Sequence, residues 1–139
     1  MHYREPSRLE MQVLSVLWQR GASTVREVME VMPDRKARAY TTILSVMQVM
    51  EKKGLLSHVT EGNTHVYQAR VSRQKVTGPW LRSLVSQVFG GSTATTLQLL
   101  LAEQKVSREE LDEIKEIIAR HEQGGGFGTT APAKKKWKS

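Results

Sequence analysis

No cysteine occurs in this 139-residue chain. That absence excludes a disulfide framework, a thiolate zinc site and a cysteine nucleophile, and it is neutral about compartment. Aromatic residues amount to only 6%, so a core has to be built from aliphatic side chains and methionine. The four histidines, His2, His58, His65 and His121, are scattered without metal-ligand spacing, and neither a metal nor a cofactor is expected. No apolar run approaches the ~20 residues of a membrane span, and the N-terminus lacks the apolar core of a signal peptide. A soluble, cytoplasmic protein without membrane insertion is expected. The chain also lacks a carboxylate pair, a Ser-His-Asp set and a phosphate loop, which leaves an enzymatic role without support.

Charge of one sign is what the chain has in excess. The formal net charge is +7 and the pI about 9.9, which favours a polyanionic partner. The excess is uneven. Residues 1–72 hold ten lysines and arginines against seven acids, residues 73–123 hold seven against seven, and residues 124–139 hold four lysines and no acid.

Three helices are expected in the first half. Ser7-Arg8-Leu9-Glu10 has the form of a capping box, followed at helical spacing by Val13, Leu14, Leu17 and Trp18, so helix 1 should run from about Arg8 to Gln19 and stop at Gly21. Thr24-Val25-Arg26-Glu27 repeats the box and opens a short second helix, with Val25, Val28, Met29 and Met32 on one face, ending at Pro33-Asp34. A third helix follows the basic loop Arg35-Lys36-Ala37-Arg38, carries Ile43, Leu44, Met47 and Met50 inward, and ends at Lys53-Gly54. Leu55–Thr60 and Thr64–Arg70 then read as two strands joined by a tight turn at Gly62-Asn63.

The second half reads as three more helices. One bears Trp80, Leu81, Leu84, Val85 and Val88 and ends at Phe89-Gly90-Gly91. Another spans Ser92–Glu103 with Leu97, Leu100 and Leu101, and the last follows a capping box at Ser107 with Leu111, Ile114, Ile117 and Ile118. Gly78-Pro79 should delay or kink the start of the fourth helix. So much apolar helix surface in so few residues suggests packing against a second copy, making these thirteen residues the dimerisation set. The fold class that results is mostly α with a small β-hairpin: a winged helix-turn-helix DNA-binding domain over 1–72, followed by a C-terminal helical dimerisation region over 73–123. Residues 124–139 read as a disordered basic tail, either a solvated charge tag that aids solubility or a supplement to phosphate affinity.

A helix-turn-helix presents the first residues of its second helix to base edges, while nearby cations hold phosphates. Here Tyr40, Thr41, Thr42, Ser45 and Gln48 supply polar groups along the outer face of helix 3. Arg35, Lys36 and Arg38 precede it, and Lys52 and Lys53 end it. Threonine and serine can bond bases or phosphates, a threonine methyl can touch a thymine methyl, and glutamine pairs with adenine. In the hairpin, His58, Asn63, Thr64 and His65 are placed to reach the DNA backbone or minor groove. The bland alternatives are that Thr41 or Thr42 merely caps helix 3 and that the remaining polar residues form a solvated face. A winged-helix module used only for protein–protein contact is the competing function, and it would more often expose aromatic or aliphatic anchors on this helix.

Leu-Glu-Met-Gln-Val-Leu-Ser-Val-Leu-Trp (9–18), Thr-Val-Arg-Glu-Val (24–28), Ala-Tyr-Thr-Thr-Ile-Leu (39–44), Glu-Lys-Lys-Gly-Leu-Leu (51–56) and Phe-Gly-Gly-Ser (89–92), in unbroken order, resemble the penicillinase repressor family of the BlaI/MecI/CopY type. The resemblance implies a winged helix, a helical dimerisation region and a homodimer on a pseudo-palindromic double-stranded DNA operator. In the better-known members it also implies relief of repression when a membrane-bound sensor protease leads to cleavage, which here falls around Leu97 to Gln104. By position it assigns operator contact to Tyr40, Thr41, Thr42, Ser45 and Gln48, and phosphate contact to Lys52, Lys53 and the 62–65 turn. Val49 and Asn63 stand where basic residues are usual, so weaker nonspecific phosphate affinity is expected.

Overall fold

A computed structural model describes residues 6–124. The expected basic tail lies outside the described residues except for Gly124. The elements follow in the order α1 (Arg8–Arg20), α2 (Val25–Glu30), α3 (Tyr40–Lys52), β1 (Leu56–Glu61), β2 (Thr64–Ala69), α4 (Arg73–Val88), α5 (Thr93–Glu103) and α6 (Arg108–Glu122). This is the mostly helical chain with one antiparallel hairpin that the periodicity implies.

Both N-terminal capping boxes close in both directions. The Glu10 N–H donates to Ser7 Oγ at 3.1 Å while the Ser7 N–H donates to Glu10 Oε1 at 3.0 Å, and Thr24 and Glu27 do the same at 2.9 and 3.1 Å. Each box satisfies two backbone donors that a helix start would otherwise leave without partners. At α6 the Ser107 hydroxyl accepts the Glu110 N–H at 3.0 Å.

The C-terminus of α3 sets the direction of the hairpin. The Leu55 N–H reaches the Met50 carbonyl at 2.9 Å and the Gly54 N–H the Glu51 carbonyl at 3.0 Å, a Schellman pair made possible by Gly54 at φ +87°. Leu55 and Met50, brought together by that turn, are both buried. Leu56 pairs with Ala69 and Glu61 with Thr64, around a two-residue turn in which Gly62 takes φ +64°. A bridge outside the hairpin was not legible in the periodicity: Ser23, wholly buried, exchanges backbone hydrogen bonds with Tyr67 at 2.9 and 2.8 Å. The link between α1 and α2 is thereby fastened to β2.

The chain divides into two compact units at Trp80/Leu81. The first has a continuous core of Val13, Leu14, Val16, Leu17, Val25, Val28, Met32, Ile43, Met47, Met50, Leu55, Leu56 and Tyr67, aliphatic and methionine-rich as the low aromatic content requires. Trp18 donates its indole N–H to the Val71 carbonyl at 2.9 Å, and Arg73 lies over its ring, which holds the exit from β2 against α1.

The second unit contains α5, α6 and the end of α4. None of these three helices has a buried residue among those described. Trp80, Leu81, Val88, Leu100, Ile117 and Ile118 are exposed, as is Leu99, which the helical spacing did not single out. Leu84, Val85, Phe89, Leu97, Leu101, Leu111 and Ile114 are half-buried.

The fourth helix corrects one expectation. It does not wait for Gly78-Pro79 but begins at Arg73, with Pro79 in its interior. Its start is set instead by Ser72, whose hydroxyl accepts the Lys75 N–H at 3.1 Å and whose carbonyl accepts the Val76 N–H at 3.2 Å. The local cap outweighs the proline, which removes one helical donor but imposes no break.

Candidate nucleic-acid interface

α2, α3 and the hairpin meet in the first unit, and α3 is the central element. Its N-cap is Ala39, with extended backbone and no side-chain hydrogen bond to the helix. The alternative in which Thr41 or Thr42 merely caps the helix is therefore ruled out: both lie inside the first turn, and both are exposed. An alanine cap leaves the first-turn N–H groups without a side-chain acceptor, and they carry the positive end of the helix dipole.

Ile43, Met47 and Met50 turn inward and are fully buried. The opposite face presents Thr41, Thr42, Ser45, Gln48 and Lys52, all exposed. Positions 41, 45, 48 and 52 recur at the four- and three-residue spacing that puts side chains in one row along a helix. Val49 lies beside this row and is 46% exposed, an aliphatic surface among hydroxyl, amide and ammonium groups.

Tyr40, at the first position of α3, faces a cleft of about 450 Å³ whose walls include Thr24, Arg26, Asn63, Thr64 and His65. The structure thus brings Tyr40 together with the wing turn, as a winged helix requires. On the wing, His58 Nδ1 lies 2.8 Å from both carboxylate oxygens of Glu51 in the last turn of α3, and the His58 and His65 rings approach to 4.2 Å. Thr60 Oγ1 meets His65 Nδ1 at 3.2 Å. The His58–Glu51 contact ties the hairpin to α3, and the other two join β1 to β2. Buried Tyr67 beneath them has its phenol pushed above its ordinary value by burial, with Glu51 and Tyr40 adding to the effect.

Two of the nominated cations are engaged within the chain. Arg38 makes a two-pronged pair with Asp34 at 3.1 and 2.6 Å. The Arg38 guanidinium, helped by the Lys36 N–H, holds the Asp34 carboxyl well below the usual carboxylate range, and Asp34 in turn raises Arg38. Lys53 places Nζ 2.8 Å from Glu10 Oε2. Burial alone would raise the Glu10 pKa, but the Lys53 ammonium and the Ser7 donors outweigh it and the net shift is downward. Lys52, Lys36 and Arg35 are exposed. Arg35 holds φ +58°, a conformation L-residues adopt rarely, at the turn from α2 into the α3 loop.

Sequence reasoning passed over Arg26. It figures there only as a member of the Thr24–Glu27 capping box, yet its guanidinium lies 5.3 Å from the centroid of the Tyr40 ring. The signal that could have found it is spatial: the helix-turn-helix order places the start of α2 beside the start of α3.

The family model for the penicillinase repressor matches residues 6–120. The transcriptional regulator BlaI of Mycobacterium tuberculosis is 31% identical over 120 residues, covering 85% of this chain and 86% of that protein. The penicillinase repressor of Bacillus licheniformis is 24% identical over 115 residues, 83% of this chain and 90% of its own length. The methicillin resistance regulatory protein MecI of Staphylococcus aureus is 18% identical over 114 residues, with 82% and 93% covered.

Proposed function

The chain belongs to the penicillinase repressor family of transcriptional regulators, and from that premise we propose that it represses by binding a pseudo-palindromic operator as a homodimer. The observation that carries this reading is the outward row of α3. Thr41, Thr42, Ser45 and Gln48 stand exposed at the uncapped end and middle of a helix whose inner face is fully buried. Such a helix offers hydroxyl, methyl and amide groups to base edges in the major groove, and its N–H groups and Lys52 to phosphates. The 62–65 turn of the wing takes the neighbouring backbone.

Dimerisation is assigned to α4, α5 and α6, whose apolar side chains are half-buried or exposed, with none fully buried among the described residues. Leu100 and Ile117 are each 53% exposed, and burying the remaining half of an aliphatic side chain of this size contributes about 1 kcal/mol. A dimer places two α3 helices on one duplex, so the operator has to repeat its half-site with the symmetry of the protein. Derepression follows from cleavage by a membrane-bound sensor protease between Leu97 and Gln104. That stretch includes the exposed Gln98, Leu99, Leu100, Ala102, Glu103 and Gln104, and losing its continuity would split the dimerisation region.

The test is specificity rather than affinity. In competition binding between a selected operator and random duplex, Thr42→Ala and Gln48→Ala should each reduce the preference for the operator by ~1–3 kcal/mol per lost base contact. If both variants keep the wild-type preference, α3 does not read the sequence.

A further inference from the structure

We propose that Arg26 clamps a phosphate of the DNA backbone in the cleft between α3 and the wing. The proposal rests on the DNA-binding reading above and names a contact which that reading leaves out. Three observations converge on it.

The first is availability. Arg20 pairs with Glu27, Arg38 with Asp34 and Lys53 with Glu10, whereas Arg26 forms no ion pair among the described residues and is exposed. The second is position. Its guanidinium rests 5.3 Å from the Tyr40 ring centroid, at the first residue of α3, which orders a side chain that would otherwise sample many rotamers. The third is the chemistry of the cleft, whose walls carry Thr24, Tyr40, Asn63, Thr64 and His65 but no acid. Residues bearing hydroxyl, amide and guanidinium groups line it, and no carboxylate is among its wall residues.

The geometry of a duplex supplies the occupant. With α3 in the major groove, the sugar-phosphate ridge bounding that groove has to pass between the helix and the wing. A planar guanidinium with paired donors matches two phosphate oxygens, and the Tyr40 and Thr64 hydroxyls flank the same space. Arg26 thus performs the task that the sequence pattern nominated Arg38 and Lys53 to perform. Those two are held by carboxylates of their own chain and would have to give up an ion pair to reach DNA.

The experiment uses the full chain and a fluorescein-labelled duplex, in two versions, one selected from a random pool and one scrambled, titrated between 50 and 200 mM NaCl. Arg26→Ala should weaken binding to both duplexes by the same factor. It should also flatten the plot of log affinity against log salt by ~0.9 per protomer, the loss of one phosphate contact. Arg26→Lys should restore the slope, and Arg26→Gln, which keeps the polar side chain but not the charge, should not. Arg38→Ala should change the slope less than Arg26→Ala. A wild-type slope for Arg26→Ala, with an unchanged thermal midpoint, overturns the clamp while leaving the operator reading intact. Absence of any binding by the wild-type chain overturns the operator reading itself.

Discussion

At the scale of single residues, Glu10 links two ends of the first unit. One carboxylate oxygen caps α1 through the Ser7 N–H, and the other accepts from Lys53 immediately after α3. Glu10→Gln keeps the shape but not the charge, and should destabilise the protein by about 1 kcal/mol at pH 7. The sign of the pH dependence follows from the downward shift of Glu10. A carboxyl whose folded pKa lies below its ordinary 4.5 contributes fully above that value and loses its contribution as pH falls through the lower folded value. Urea denaturation of wild type and Glu10→Gln at pH 7 and pH 3 should therefore show a gap that closes in acid. A gap of the same size at both values would mean that the ion pair contributes nothing. The Lys53 partner also shows why charge at this scale is hard to assign from sequence: the ammonium looks like a phosphate contact until the fold brings a glutamate 43 positions away to within 2.8 Å.

At the scale of elements, local signals carried the helices of the first unit and the hairpin. Two reciprocal capping boxes, the Schellman turn at Gly54 and the glycine turn at Gly62 are encoded within a few residues of where they act, and periodicity sorted Ile43, Met47 and Met50 inward from Thr41, Ser45 and Gln48 outward. The Ser23–Tyr67 bridge and the Arg26–Tyr40 contact escaped because each joins residues from different elements. α4 was misjudged at its start for a different reason: Pro79 was visible, while Ser72, an unremarked serine, made the cap. An interior proline still removes the donor that would serve the carbonyl four residues earlier. Pro79→Ala should accordingly raise stability, by up to about 3 kcal/mol, and raise helical ellipticity, measured by thermal unfolding at one fixed protein concentration. Unchanged or lowered stability would show that α4 depends on the proline's shape.

For the whole molecule, the two units have opposite characters. The first buries a complete core and turns polar groups outward from α3, and the second carries apolar helices with no buried residue among those described. In the proposed homodimer the second unit would supply the contact, and the first would then be duplicated on the DNA. Two copies of α3 on one duplex, as proposed, would convert modest specificity per half-site into the sum over both. The most direct test of this account is hydroxyl-radical footprinting of the full chain on the duplex it selects from a random pool. Two protected patches related by a dyad are expected, their centres about 10 base pairs or a multiple of that apart. One patch without a dyad, or failure to enrich any sequence from the pool, would contradict it.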